Sequence, residues 1–291
     1  MRYVYYPGCS LKSTGSPYEA SVLALFKALG LPLTELHGWN CCGATSYMSV
    51  DETSALALAA RNLALAQSED ASEEVQFVAP CSACFLVHTK VQESMHKGTW
   101  QARVVEEALF ASGLVYHGRV HVRHPLDVLV NDIGLERLTA AVTRPLKGLK
   151  VACYYGCQVA RPYPVAGDKH DPTMMDDLLR AAGAETLEWP LKARCCGGSL
   201  SGTIESAGLG LSHIILHEAK KRGADVIATA CPLCQFNLEC YQGRIGRRFG
   251  DQVVQPVAYF TQLLGRAMGI PDRELGLHHM LSPLPPEPVT A

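Results

Sequence analysis

Ten of the twelve cysteines fall into two copies of one pattern. In the first copy Cys9 precedes the adjacent pair Cys41-Cys42, which Gly43 follows, and Cys81-Ser-Ala-Cys84 closes the set. In the second, Cys157 precedes Cys195-Cys196-Gly197, and Cys231-Pro-Leu-Cys234 closes it. Gaps of 31 and 38 residues separate the groups in the first copy, and gaps of 37 and 34 in the second, so only folding can gather the thiols. Clustered thiolates suit soft metals, zinc or iron–sulfur. A structural zinc takes four ligands and an ordinary cubane also takes four. Five per half is one more than either needs, which points to a cluster with a bridging thiolate. Disulfides are the weaker alternative. Adjacent cysteines reach disulfide geometry poorly, and a cysteine-rich chain without an export signal more often uses its thiols for metal or redox chemistry.

The elements that must position these thiols also repeat. An opening strand, Tyr3 to Tyr6, ends at Pro7-Gly8-Cys9. A helix follows, with Ser16 as N-cap, Pro17 at its first position and Glu19 completing a capping box. Its apolar face is Val22, Leu25, Phe26 and Leu29, and Gly30 stops it. Strand Leu33 to Leu36 leads to the first adjacent pair. A helix from about Asp51 to Gln67 and strand Val75 to Ala79 then lead to the first Cys-x-x-Cys. Strand Val120 to Arg123 and helix Leu126 to Asn131 close the half. The second half runs in the same order: strand Val151 to Tyr155, a helix from Asp171-Pro172 to Gly183, strand Thr186 to Trp189, a helix through Leu211, Ile214 and Ile215, and strand Val226 to Thr229. Alternation of this kind predicts an α/β fold, two tandem Rossmann-like repeats of parallel sheet covered by helices and related by a pseudo-twofold. The cysteines then sit at the carboxyl ends of strands, the ligand-binding edge of such sheets. The expected units are residues 1–145, 146–270 and a tail, 271–291, disordered at its end.

Bulk properties exclude other classes. An apolar fraction of 48% with 19% charged residues is that of a globular protein with a core. A net charge of −2 leaves no basic footprint for nucleic acid. The N-terminus has no apolar signal region, and Lys27 and Arg61 break the best apolar runs short of a membrane span. A cytoplasmic location is expected. Gly197-Gly198-Ser199-Leu200-Ser201-Gly202 does not fit a dinucleotide fingerprint, so no flavin or nicotinamide site is expected on this chain.

The doubled pattern, over Tyr5 to about Leu264, resembles the cysteine-rich CCG family. It is most similar to the B subunit of heterodisulfide reductase and its bacterial homologues. The resemblance implies that each unit binds a noncubane four-iron four-sulfur cluster through its five cysteines, built as two fused two-iron units with a bridging cysteine. It further implies a disulfide-reducing oxidoreductase acting on a disulfide or related thiol substrate. Electrons would come from a ferredoxin-like iron–sulfur subunit, fed in turn by a flavin subunit. CCG units also occur in E-type succinate dehydrogenase and related complexes, where electrons would pass to or from a quinone. A zinc-stapled binding module without catalysis is the third alternative.

Several residues need assignment beside that pattern. Aligning Tyr6-Pro7-Gly8-Cys9 with Tyr154-Tyr155-Gly156-Cys157 makes Cys157 the upstream ligand and leaves Cys153 in the strand as a small core residue. Cys240 has no counterpart and is expected to pack. His213 and His217 stand at i, i+4, but no carboxylate joins them in a known motif, so a surface or core role is expected. His278 and His279 are expected in solvent. Arg194 could offset charge beside Cys195, and Tyr6 and Trp39 could shield a cluster.

Overall fold

The computed structural model describes residues 2–44, 46–67, 74–165, 167–251 and 254–285. The first repeat comprises β1 (Arg2–Tyr5), α1 (Gly8–Leu11), α2 (Ser16–Ala28), β2 (Thr34–Glu35), α3 (Ser46–Val50), α4 (Glu52–Gln67), β3 (Val75–Val78), α5 (Ser82–Lys97), α6 (Trp100–Ala111), β4 (Val120–Arg123), α7 (Pro125–Val128), a π-helical turn (Leu129–Ile133) and α8 (Leu135–Ala140). The second comprises β5 (Lys150–Tyr154), α9 (Cys157–Ala160), α10 (Met174–Ala181), β6 (Glu185–Thr186), α11 (Leu200–Thr203), α12 (Glu205–Lys221), β7 (Val226–Thr229), α13 (Pro232–Cys240), α14 (Gln242–Phe249), β8 (Val257–Tyr259) and α15 (Phe260–Ala267).

Each repeat is a four-stranded parallel sheet, ordered β2-β1-β3-β4 and β6-β5-β7-β8. The inner strands β3 and β7 are buried at every position, as expected where helices cover both faces. At one edge of each sheet the strand, β2 or β6, is only two residues long, which leaves little to pair on that side. β6 is shorter than the expected Thr186 to Trp189. Pro190 lacks an N–H, and the Trp189 indole donates to the Cys153 carbonyl at 2.9 Å, so the chain turns off the sheet to deliver the second adjacent pair.

Local capping also departs from expectation. Ser16 is the first helical residue, not the N-cap, and no side chain caps α2. The helical turn α1 feeds straight into α2, and Glu19 instead pairs with Lys12 and accepts from the Tyr5 hydroxyl. α10 starts at Met174 rather than at Asp171, because Asp171 pairs with the buried Lys192 ammonium.

The repeats pack reciprocally. α5 touches α9 and α13 touches α1; α2 packs on α15 while α10 packs on α7 and α8. Element i meeting j, with the repeat of j meeting the repeat of i, is the signature of a twofold-like interface. One apolar core joins Leu25, Phe26 and Leu129 of the first repeat to Met175, Leu178, Phe260 and Leu264 of the second. Residues 271–285 pack back on this body. Leu275 is buried, and the backbone amide of Leu281 donates to Glu239. Residues 286–291 of the expected tail lie outside the described residues.

Candidate metal centre

Three kinds of backbone feature deliver the cysteines. Cys81 and Cys231 are the N-cap residues of α5 and α13, so Cys84 and Cys234 stand one helical turn on, on the same face. The partly positive helix N-termini therefore point at the sulfurs. Cys9 and Cys157 lie at the start of the first helical turns after β1 and β5, Cys9 second in α1 and Cys157 first in α9. Each is preceded by a glycine with positive φ, +65° at Gly8 and +74° at Gly156. A Cβ on Gly8 would stand 3.0 Å from Cys84 Sγ, and one on Gly156 would stand 3.1 Å from Cys234 Sγ. The glycines are thus required twice over, by conformation and by closeness to a thiol.

The adjacent pairs lie in loops that turn their amides onto the sulfurs. Gly197 N–H donates to Cys195 Sγ at 3.4 Å and Gly198 N–H to Cys196 Sγ at 3.5 Å. Gly43 and Ala44 amides do the same for Cys41 and Cys42. Such amide concavities favour anions. Asn237 adds a side-chain donor to Cys196 Sγ at 3.4 Å. The loops are hung from matching tyrosines: Tyr6 donates to the Asn40 carbonyl at 2.8 Å and Tyr154 to the Arg194 carbonyl at 2.7 Å.

All ten sulfurs of the sequence pattern are brought together, in two groups. Cys9 Sγ is 3.8 Å from Cys41 Sγ, and Cys42 Sγ is 3.3 Å from Cys84 Sγ. Cys196 Sγ is 3.5 Å from Cys234 Sγ, and Cys157 hydrogen-bonds Cys195. Cys42, Cys81, Cys84, Cys196, Cys231 and Cys234 are buried as the floors, while Cys9, Cys41 and Cys195 are exposed at the mouths. A cavity of about 200 Å³ opens over the second group, with Ser49 and Ser82 of the first repeat in its wall.

Thiol–thiol hydrogen bonds separate the acidities. Hydrogen bonding with Cys41, then with Cys84, pushes Cys42 well down, and hydrogen bonding with Cys157 pushes Cys195 down. The donors Cys41 and Cys157 move up in consequence. Packed this closely, five thiolates repel one another unless cations lie between them. The donor set therefore fits an iron–sulfur centre: soft sulfurs, amide donors and helix N-termini on one side, and glycine at positions 8 and 156, where a Cβ would crowd a cysteine.

The two groups also touch each other. Cys81 of the first hydrogen-bonds Cys231 of the second. The Ala230 carbonyl, just before Cys231, accepts from Ser82 Oγ at 3.1 Å and from the Tyr18 hydroxyl at 3.4 Å. His124 Nδ1 accepts from the Leu126 amide at 3.2 Å, so Nε2 carries the proton. That nitrogen faces the carbonyls of Pro80 at 3.1 Å and Ala230 at 3.3 Å. One imidazole thereby ties together the residues that precede both Cys-x-x-Cys motifs. Burial pushes it down to about 4, so it is neutral.

The family model for the cysteine-rich domain, CCG, matches residues 3–87 and 151–239. The chain belongs to the CCG cysteine-rich domain family. The membrane anchor subunit of 8-methylmenaquinol:fumarate reductase from Wolinella succinogenes is 33% identical over 279 residues, 95% of each chain. The B subunit of ferredoxin:CoB-CoM heterodisulfide reductase from Methanosarcina mazei is 30% identical over 276 residues, 93% of this chain and 90% of that one. A protein from Archaeoglobus profundus described as like the heterodisulfide reductase B subunit is 30% identical over 285 residues, 95% and 94%. A crystal structure of a hypothetical protein from Helicobacter pylori superposes with a TM-score of 0.77 at 14% identity over 98% of this chain. This chain spans about half, 52%, of that structure, which shows the fold alone. The named relatives in W. succinogenes and M. mazei are subunits of reductases. Among the described residues of this CCG chain, no helix is long and apolar enough to cross a membrane.

Outside the ten, the structure sorts the remaining candidates. Cys153 is fully buried in β5, away from either group. Cys240 is exposed at the end of α13, not packed as expected, because the helix stops there and turns at Tyr241. His278 and His279 are exposed. Tyr6 is buried edge-on to Trp39 at 5.8 Å. Arg194 is exposed, and the guanidinium whose charge lowers Cys195 is that of Arg161, which donates to the Ala193 carbonyl at 2.8 Å. His213 and His217 do meet a carboxylate, that of Asp251. Arg161, His124 and Asn237 escape a reading of the sequence because none belongs to a spaced motif; their roles arise only where distant elements meet.

Proposed function

We propose that this CCG chain is the iron–sulfur subunit of a reductase complex and reduces a disulfide, or a related thiol or sulfur substrate. Cys9, Cys41, Cys42, Cys81 and Cys84 would hold one noncubane four-iron four-sulfur cluster within residues 1–145. Cys157, Cys195, Cys196, Cys231 and Cys234 would hold the other within residues 146–270, with 271–291 as a C-terminal extension. The observation that carries this reading is the contact between the two thiol groups at Cys81 and Cys231. On this reading the contact would set two like redox sites side by side, one for each sulfur of a disulfide.

The clusters would supply one-electron transfer. The chain's own residues set its conditions. Six of the ten thiols are buried, which keeps water from the floors. Amide donors at Gly43, Ala44, Gly197 and Gly198, together with Arg161, place positive field on the sulfurs and favour the reduced state. A disulfide takes two electrons and two protons to give two thiols. With no dinucleotide fingerprint on the chain, the electrons would enter from a ferredoxin-like subunit fed by a flavin subunit.

The test is anaerobic purification followed by metal analysis and a disulfide-dependent assay with an artificial one-electron donor. About eight iron per chain is expected, with donor oxidation that requires a disulfide. About two zinc and no iron would make the chain a zinc-stapled module instead. The 33% identity over 95% of each chain with the W. succinogenes fumarate reductase protein favours a second reading, electron exchange with a quinone. Donor oxidation driven by a menaquinone analogue and indifferent to disulfides would establish that reading over the first.

A further inference from the structure

The outer face of the second repeat carries a cluster unrelated to the ten cysteines. His213 and His217 stand one turn apart on α12, on the side that packs against α14. α14 ends at Gly250, whose φ of +68° turns the chain back and lays Asp251 against both imidazoles. Asp251 Oδ2 is 2.7 Å from His217 Nδ1 and 3.4 Å from His213 Nε2. The three ligand atoms lie within 4.8 Å of one another.

Two details favour a cation over a simple hydrogen-bonded triad. His213 Nε2 is buried and reaches Asp251 Oδ2 only at 3.4 Å, without good hydrogen-bond geometry, although a buried polar nitrogen is costly to leave poorly satisfied. Its ring is held flat against Phe249 at 4.3 Å and 2°, so the nitrogen stays aimed at the carboxylate. Ligands on a zinc ion at about 2.0–2.1 Å stand roughly 3.3 Å apart in a tetrahedron, which the 3.4 Å contact already matches and which the exposed His217 ring reaches by a small shift from 2.7 Å. The two imidazoles, and then the positive charge of Lys220, hold the Asp251 carboxyl below its usual range and so keep it ionised; two imidazoles and one carboxylate make a borderline nitrogen–oxygen donor set. α4, the counterpart of α12 in the first repeat, has no histidine, so the cluster is not part of the duplicated ligand set.

We propose that His213, His217 and Asp251 form a site for zinc or a similar divalent transition ion, with an open fourth position for water, clamping α12 to the end of α14. α12 also supports the second thiol group, since Ser212 Oγ donates to the Cys196 carbonyl at 2.9 Å. The clamp therefore steadies the helix behind that group without touching a sulfur.

The experiment uses the full chain, prepared anaerobically with its iron in place, exposed to zinc chloride and desalted. His217→Ala and Asp251→Asn are compared with wild type; both alter exposed or half-exposed positions. The wild type should retain about one more zinc per chain than either variant, at equal iron. Zinc should raise the melting temperature of the wild type alone. Any zinc bound by thiols is common to all three proteins and cancels. Equal zinc retention in the three would overturn the site, and retention without a wild-type-specific rise in melting temperature would overturn the clamp.

Discussion

At the residue scale, Gly8 and Gly156 offer the sharpest test of what the cysteines hold. Each has positive φ and a missing Cβ aimed at the second sulfur of a Cys-x-x-Cys. Gly156→Ala should therefore displace Cys234 and lower iron by about half, while Gly98→Ala, also at positive φ but in open space, should leave iron intact. Equal iron in both would mean that the contact does not matter to metal binding. The upstream ligand can be tested the same way. Cys157 stands beside Cys195 and Cys153 is sealed in β5. Cys157→Ser should then cost about half the iron and Cys153→Ser none; the reverse pattern would move the ligand to Cys153.

At the element scale, the repeats are joined where the loops before α5 and α13 meet, and His124 sits at that joint. Its folded pKa lies near 4 against an ordinary 6.5, through burial. The unfolded chain therefore binds the extra proton first. The stabilisation is full above 6.5 and is lost as pH falls from 6.5 through 4, by about 3 kcal/mol. His124→Gln retains an amide donor for the two carbonyls and cannot titrate. Its stability in urea should fall less steeply than the wild type's across that window, and parallel curves would show that His124 is not the titrating group. Nothing in the spacing of His124-Pro125 announces this role. The ten cysteines, by contrast, were legible because the pattern repeats in register with alternating strands and helices, and parallel sheets carry such loops to one edge. Helix starts were less legible. At Ser16 and Asp171 a tertiary ion pair or a preceding helical turn overrides the local capping signal. Asp251 was out of reach for the same reason, 34 residues along the chain from His217.

At the scale of the whole molecule, the proposed disulfide reduction gives the duplication within one chain a consequence that a single repeat could not supply. The reciprocal packing of α5 on α9 and α13 on α1 turns both cysteine edges toward one axis, where Cys81 meets Cys231. A disulfide has two sulfurs and needs two electrons, whereas an iron–sulfur centre passes one at a time. If the chain acts as proposed, two adjoining sites would hold both sulfurs of one substrate, so the second transfer would be intramolecular and gain from proximity. Both halves should therefore be needed for turnover. Cys41 and Cys195 occupy matching mouths, so Cys41→Ser and Cys195→Ser should each abolish nearly all disulfide reduction. Each variant should still accept electrons from an artificial donor through the intact site, with iron counted to confirm which site remains. If either variant kept substantial disulfide turnover, one site would serve only as a relay, and the substrate would be reduced at the other alone.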